Sequence, residues 1–265
     1  MTTVSPPLAG PPPAAPDPAA EETRLRRELA AVYRLVDHFG MSDLVFTHIS
    51  ARLPGPEHAF LINPYGLLFE EITASSLVTV GLDGRPLAPT PHPVNPAGFV
   101  IHSAVHAARE DAHCVVHTHT RAGCAVAALA EGLLPVNQMS MEFTGRVGYH
   151  DYEGVALNEA EKSRLVADLG THPVMVLRNH GLLAVGATPA QAFLRMFYLE
   201  RACQIQVTAQ AAGPLALPPA DVVAHAGRQL NGEPTGDDLT DDIGPDLAWA
   251  ALLRLVERRY PDYAD

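Results

Sequence analysis

The sequence predicts one α/β or α+β domain of three layers, with a helical arm near its C-terminus. Three observations lead there. Short apolar segments bounded by turn signals alternate with helical patterns, the helical patterns are amphipathic, and the apolar fraction of 47% is ample for a core. Residues 1–20 read as a tail, because seven prolines sit among Ala, Gly and Thr and leave no face to bury. Order is expected from Glu21. Leu25, Leu29, Val32, Leu35 and Val36 then recur at spacings of three and four, and Gly40 follows as a helix C-cap.

Strand-like segments come next at 44–53, 59–62 and 77–80, separated by Asn63-Pro64-Tyr65-Gly66 and followed by Asp83-Gly84. A Pro-rich loop leads into a helix over 98–109. A strand at 113–117, a helix-prone stretch at 121–130 and a buried strand at 173–177 follow. A long helix fits 189–211 and a last one 245–259. The polar, Pro/Gly/Asp-rich stretch 213–244 reads as a linker or mobile loop. The domain therefore spans 21–212, and 213–265 forms the linker and arm. There is no internal repeat.

Composition narrows the function classes. A formal charge of −12 argues against nucleic acid, whose binding rests on Lys and Arg neutralising phosphates. No run approaches the ~18 apolar residues of a membrane helix. Cys114, Cys124 and Cys203 lack paired spacing, and no basic-then-apolar leader is visible, so a reduced, cytoplasmic protein is expected.

Histidine usage carries the chemistry. Eleven of the 13 histidines lie between His48 and His180. In Val115-Val116-His117-Thr118-His119 the two imidazoles, two residues apart on an extended strand, face the same way and supply half of a four-coordinate metal shell. In Leu177-Arg178-Asn179-His180-Gly181 a third imidazole follows another buried strand, and Gly181 lets the chain turn tightly after it. The same residues also suit two polar positions on a strand exit and a hydrogen-bonded structural histidine, so spacing alone leaves both readings open.

These motifs resemble the class II aldolase/adducin family. So do Phe46-Thr47-His48-Ile49-Ser50-Ala51-Arg52, the run from Ile62 to Val78 and Tyr149-His150-Asp151-Tyr152-Glu153-Gly154, and the likeness spans roughly residues 22–212. The resemblance implies an αβα sandwich around a largely antiparallel sheet and a homotetramer. It also implies one divalent metal per subunit, Zn or Fe(II), held by His117, His119 and His180 near a subunit interface.

The departures shape the expected activity. The glutamate that sugar-phosphate aldolases of the family use in proton transfer falls on Gly98, and two serines before it fall on Pro96 and Ala97. The family's Gly-Asn phosphate loop becomes Thr47-His48 and its Thr-Gly turn becomes Tyr65-Gly66. Glycine cannot accept a proton, and Pro and Ala side chains cannot bind phosphate. An unphosphorylated substrate is therefore expected, with His48 and Tyr65 as binding residues and Phe46 and Tyr65 suiting an apolar body.

Glu142 and Tyr149 are the catalytic candidates. Glu142 is either a displaced acid/base or fourth ligand, or an interface or surface carboxylate. His48 and His150 are further candidates near the metal. His102 and His106 share a helix face but lack the glutamate of HExxH, so His102 reads as packing behind the site and His106 as exposed. Glu70 and Glu71 read as solvated.

Three functions follow. The first is a metal-dependent lyase cleaving a C–C bond beside a carbonyl, by retro-aldol cleavage or decarboxylation, in a small hydroxy- or 2-oxo acid. The second, from the resemblance to antibiotic-pathway members, is a non-haem Fe(II) oxygenase acting on an aromatic, prenylated 2-oxo acid. The third is a non-catalytic interaction module like the adducin heads.

Overall fold

The computed structural model describes residues 17–55, 58–155, 159–233, 235 and 245–265. Helix α1 (Pro18–His38) begins three residues before the expected point because Asp17 caps Ala19 and Pro18 occupies the first turn, where no amide is needed. It ends as predicted, with Gly40 at φ +67°.

Seven strands form one sheet: β1 (His48–Arg52), β2 (Phe60–Ile62), β3 (Val78–Val80), β4 (Cys114–Thr118), β5 (Val147–His150), β6 (Val174–Leu177) and β7 (Gly181–Gly186). Their order is β3-β2-β1-β4-β7-β6-β5, and every pair is antiparallel except β5 with β6. The sequence reading lacked β5 and β7. The first is a four-residue edge strand, and the second an apolar run with no polar alternation to mark it.

The period-2 alternation of strands splits the core into two faces. Val116, Val174, Val176, Leu182 and Ala184 face α1 and α6 (Pro189–Ala212). Val115, Met175, Leu177, Leu183 and Val185 face α2 (Pro96–Ala108) and α5 (Glu161–Leu169). This is the three-layer αβα sandwich. Short helices α3 (Arg121–Ala127) and α4 (Gln138–Met141) follow β4.

Two expectations for the C-terminal part need correction. The supposed linker contains helix α7 (Ala220–Leu230), which buries Val223 and sits against α4, with Asn231 donating to the Glu142 carbonyl at 3.0 Å. Residues 236–244 of that stretch lie outside the described residues, as do residues 1–16 of the tail. Helix α8 (Pro245–Arg259) is not a free arm. Val256 and Tyr263 join the main core, and the buried Arg34 meets Asp262 at 2.8 Å.

Candidate metal centre

Strand β4 carries His117 at its penultimate residue, and His119 lies just beyond the strand. Strand β6 ends at Leu177, and the chain reverses so that the His180 amide donates to the Leu177 carbonyl at 3.0 Å. The residue that makes this turn is Asn179 at φ +55°, a conformation Asn tolerates, and not Gly181 as the sequence suggested. Gly181 serves another purpose. A Cβ there would lie 2.4 Å from the Thr118 carbonyl oxygen, so only glycine lets β7 close onto β4 beside the histidines.

The three imidazoles converge. His117 Nε2 and His119 Nε2 are 2.9 Å apart, as are His119 Nε2 and His180 Nε2, and one ring nitrogen from each lies within 4.8 Å of the others. The far side of two rings decides what they can do. His117 Nδ1 lies 2.9 Å from the Leu182 carbonyl, which only accepts, so Nδ1 carries the proton and Nε2 a lone pair. His119 Nδ1 lies 3.0 Å from the Asp43 carboxylate, with the same result. The 2.9 Å contact between their Nε2 atoms thus brings two lone pairs together without a proton. A cation satisfies such a pair, on the scale of imidazole–metal bonds of about 2.0–2.1 Å. The donor set fits a divalent metal.

Electrostatics agrees. Burial holds His117 neutral, far below the usual histidine range, and the neighbouring His48, His180 and His119 add to the effect. His180 is pushed down to about 4 by burial and then by His119 and His150.

His48 lies directly across from His117 in the β1–β4 register, with ring centroids 5.0 Å apart. A Cβ on Gly98 would fall 2.5 Å from His48 Cδ2 and 2.7 Å from Cγ, so the His48 ring fills the space a side chain at 98 would need. Thr47 precedes it at φ +67°, an outlying conformation for a β-branched residue, and its buried hydroxyl has no hydrogen-bond partner. Phe46 and Tyr65 stand 6.5 Å apart, ring to ring.

The other candidates lie elsewhere. The charges nearest Glu142 are Arg146 and Arg195, and burial raises its pKa; it does not join the three histidines within one protomer. The Tyr149 hydroxyl accepts the Leu133 amide at 3.1 Å, and its ring lies under Arg178. His150 is buried between Asp168 at 2.7 Å and Glu161 at 3.4 Å, and it lines a narrow cleft with Tyr152, Arg178 and His180. Glu70 and Glu71 are exposed, as expected. His106 is not: it is 1% exposed, and His102 is fully buried beside it. Sequence reasoning also missed Asp43. A single acid on a loop 76 residues from His119 carries no spacing signal.

An αβα sandwich with a histidine cluster at a strand end defines the aldolase II class of proteins. Residues 27–207 match the family described as Class II Aldolase and Adducin N-terminal domain. A Caulobacter vibrioides protein bearing a provisional class 2 aldolase name is 53% identical over 92% of this chain and 93% of its own. The crystal structure of an aldolase II superfamily protein from Pseudomonas syringae is 49% identical, with TM-score 0.84 over 92% of this chain and 96% of that one. The L-fuculose 1-phosphate aldolase of Glaciozyma antarctica is 28% identical, with TM-score 0.80 over 96% of each chain. Rattus norvegicus alpha-adducin is 44% identical over 89% of this chain, which spans 33% of the adducin's length. The chain belongs to the class II aldolase and adducin family.

Proposed function

We propose that this protein is a divalent-metal-dependent lyase that cleaves a C–C bond beside a carbonyl in an unphosphorylated hydroxy- or 2-oxo acid. The observation that carries the reading is the pair of proton-free Nε2 atoms on His117 and His119, with His180 beside them. A divalent ion held there, Zn or Fe(II), supplies Lewis-acid stabilisation of negative charge on a carbonyl oxygen. Retro-aldol cleavage and loss of CO₂ share that demand. The second needs no proton abstraction in its first step, which suits a chain whose position 98 is glycine.

Leu182 and Asp43 orient His117 and His119. His48 and the unpaired Thr47 hydroxyl border the site as binding groups, and Phe46 and Tyr65 form an aromatic rim. Leu44 and Phe46 are 69% and 45% exposed on the loop that carries Asp43. This supports a second copy of the chain covering that rim, in a homotetramer. No helix among the described residues is long and apolar enough to cross a membrane. The three cysteines are free, which suits the reducing cytoplasm.

The test is metal analysis of anaerobically purified protein, followed by turnover assays under argon with hydroxy- and 2-oxo acids. Metal-dependent cleavage under argon is expected. Turnover only with O₂ uptake would replace the lyase with an oxygenase. If His117→Ala changed stability alone, the protein would be a non-catalytic module.

A further inference from the structure

Beneath the histidine cluster runs a second set of buried polar groups that the metal does not use. His106 Nδ1 lies 3.1 Å from the Ala112 carbonyl, and His106 Nε2 lies 2.7 Å from Ser50 Oγ. Ser50 Oγ lies 2.5 Å from His102 Nδ1, and His102 Nε2 lies 2.8 Å from His48 Nδ1. All four residues are at most 3% exposed. The secondary structure makes the line possible. His48 and Ser50 share the sheet face that α2 covers, and His102 and His106 sit one turn apart on that helix.

One end of this line fixes every proton in it. The Ala112 carbonyl can only accept, so His106 Nδ1 carries hydrogen and Nε2 does not. Ser50 must give its single proton to that Nε2, and its oxygen then accepts from His102 Nδ1. This leaves His102 Nε2 bare, and it accepts from His48 Nδ1. All three imidazoles are buried, which disfavours the charged form, and His102 and His106 are lowered accordingly, so no second proton enters the line.

We infer that the His106–Ser50–His102 line locks His48 in the Nδ1–H form and leaves its Nε2 as a hydrogen-bond acceptor beside the three histidines, so that the site selects a substrate bearing a hydroxyl donor there and rejects a phosphate. The His48 ring lies 5.0 Å from that of His117, and its Nε2 edge faces Gly98, 3.0 Å from where a Cβ there would stand. The unprotonated oxygens of a phosphate ester dianion need donors at this point, and a bare imidazole nitrogen meets them lone pair to lone pair. Ser50, His102 and His106 are therefore positioning residues that act through His48. The inference rests on the proposed metal-dependent reading for its substrate, but the proton pattern exists without metal.

Two measurements separate these parts. Long-range ¹H–¹⁵N correlation on the full chain labelled with ¹⁵N-histidine is expected to show a protonated Nδ1 and a bare Nε2 for His48, His102 and His106. A protonated Nε2 on His48 would overturn the inference whatever the metal does. The zinc-loaded protein is then titrated at about pH 8 with glycolate, methoxyacetate and methyl phosphate, whose dianion carries no P–OH donor. Glycolate should bind about tenfold tighter than methoxyacetate, which lacks the donor. Ser50→Ala should shrink that ratio to about threefold or less, and Ser50→Thr, which keeps the hydroxyl, should restore it. Methyl phosphate binding tighter than glycolate, or an unchanged ratio in Ser50→Ala, would overturn the inference. Failure to take up zinc would instead end the metal-dependent reading, leaving the NMR result to decide the proton pattern.

Discussion

Gly98→Ala adds one methyl group where the His48 ring already stands. The new carbon would lie 2.5 Å from Cδ2 and 2.7 Å from Cγ, far inside van der Waals contact. The ring cannot swing away cheaply, because it is 3% exposed and tied to His102 at 2.8 Å. Overpacking of this kind costs about 1–3 kcal/mol. Against it stands the gain of replacing a helical glycine by alanine, about 0.5–1 kcal/mol. The clash is the larger of the two, so a net loss of up to about 2.5 kcal/mol is expected, or a few degrees in Tm for a chain of this size. With His48→Ala in place the clash is gone and only the helix gain remains. The sign of the effect should reverse, with a coupling of about 1–3 kcal/mol equal to the clash itself. Urea denaturation of the four proteins in excess EDTA reads this without a metal contribution. A coupling below about 0.5 kcal/mol would show that the ring does not fill the space of a side chain at 98.

Further expectations follow from the same geometry. His117→Ala should abolish stoichiometric zinc binding, and retention of one zinc per chain by elemental analysis would contradict the assigned ligands. Asp43→Asn leaves His119 with a weaker acceptor and should lower zinc affinity about 10–100-fold in a chelator competition, as second partners of metal-bound histidines commonly do. Gly181→Ala drives a methyl group to 2.4 Å from a backbone oxygen that cannot retreat, so unfolding midpoints should fall by an amount equivalent to more than about 2 kcal/mol. The metal-free protein should weaken in mild acid. His106 titrates at about 3 in the folded state against about 6.5 when unfolded, so the unfolded chain binds the extra proton. Its stabilising contribution is complete above pH ~6.5 and falls by about 1.4 kcal/mol per pH unit from there toward 3. His102 and His48 are lowered in the same direction. Equal urea midpoints at pH 7 and pH 5 would refute this.

Much of the fold was legible because it rests on local patterns. The apolar face of α1, the glycine after it and the apolar strand before His117 are read within a single window of chain. The likeness to known motifs joined His117 and His119 to His180, which spacing alone could not do. Strand β7 was lost because a strand buried on both faces does not alternate. Helix α7 was lost because prolines and glycines around it masked one apolar stripe that α4 covers. His106 was misplaced for a different reason: a polar residue on a helix reads as exposed, and its partner Ser50 belongs to a strand 56 residues away. The proton line under the site is a property of tertiary structure, invisible until sheet and helix meet. The mutual exclusion of His48 and a side chain at 98 likewise joins two positions that no sequence window holds together.

The carbonyl that orients His117 belongs to Leu182, the second residue of β7, and the strand pairing beside it runs Thr118↔Leu182 and His117↔Leu183. A nascent chain that has not yet made this strand owns His117 and His119 but cannot hold the first of them in its metal-ready form. His180 and Leu182 arrive together, two residues apart, about two thirds of the way along the chain. Under the proposed metal-dependent reading, loading of the ion would follow assembly of the central sheet, because a chain without β7 lacks the carbonyl that orients His117. Occupancy of the centre would in that way report that the whole sheet has closed.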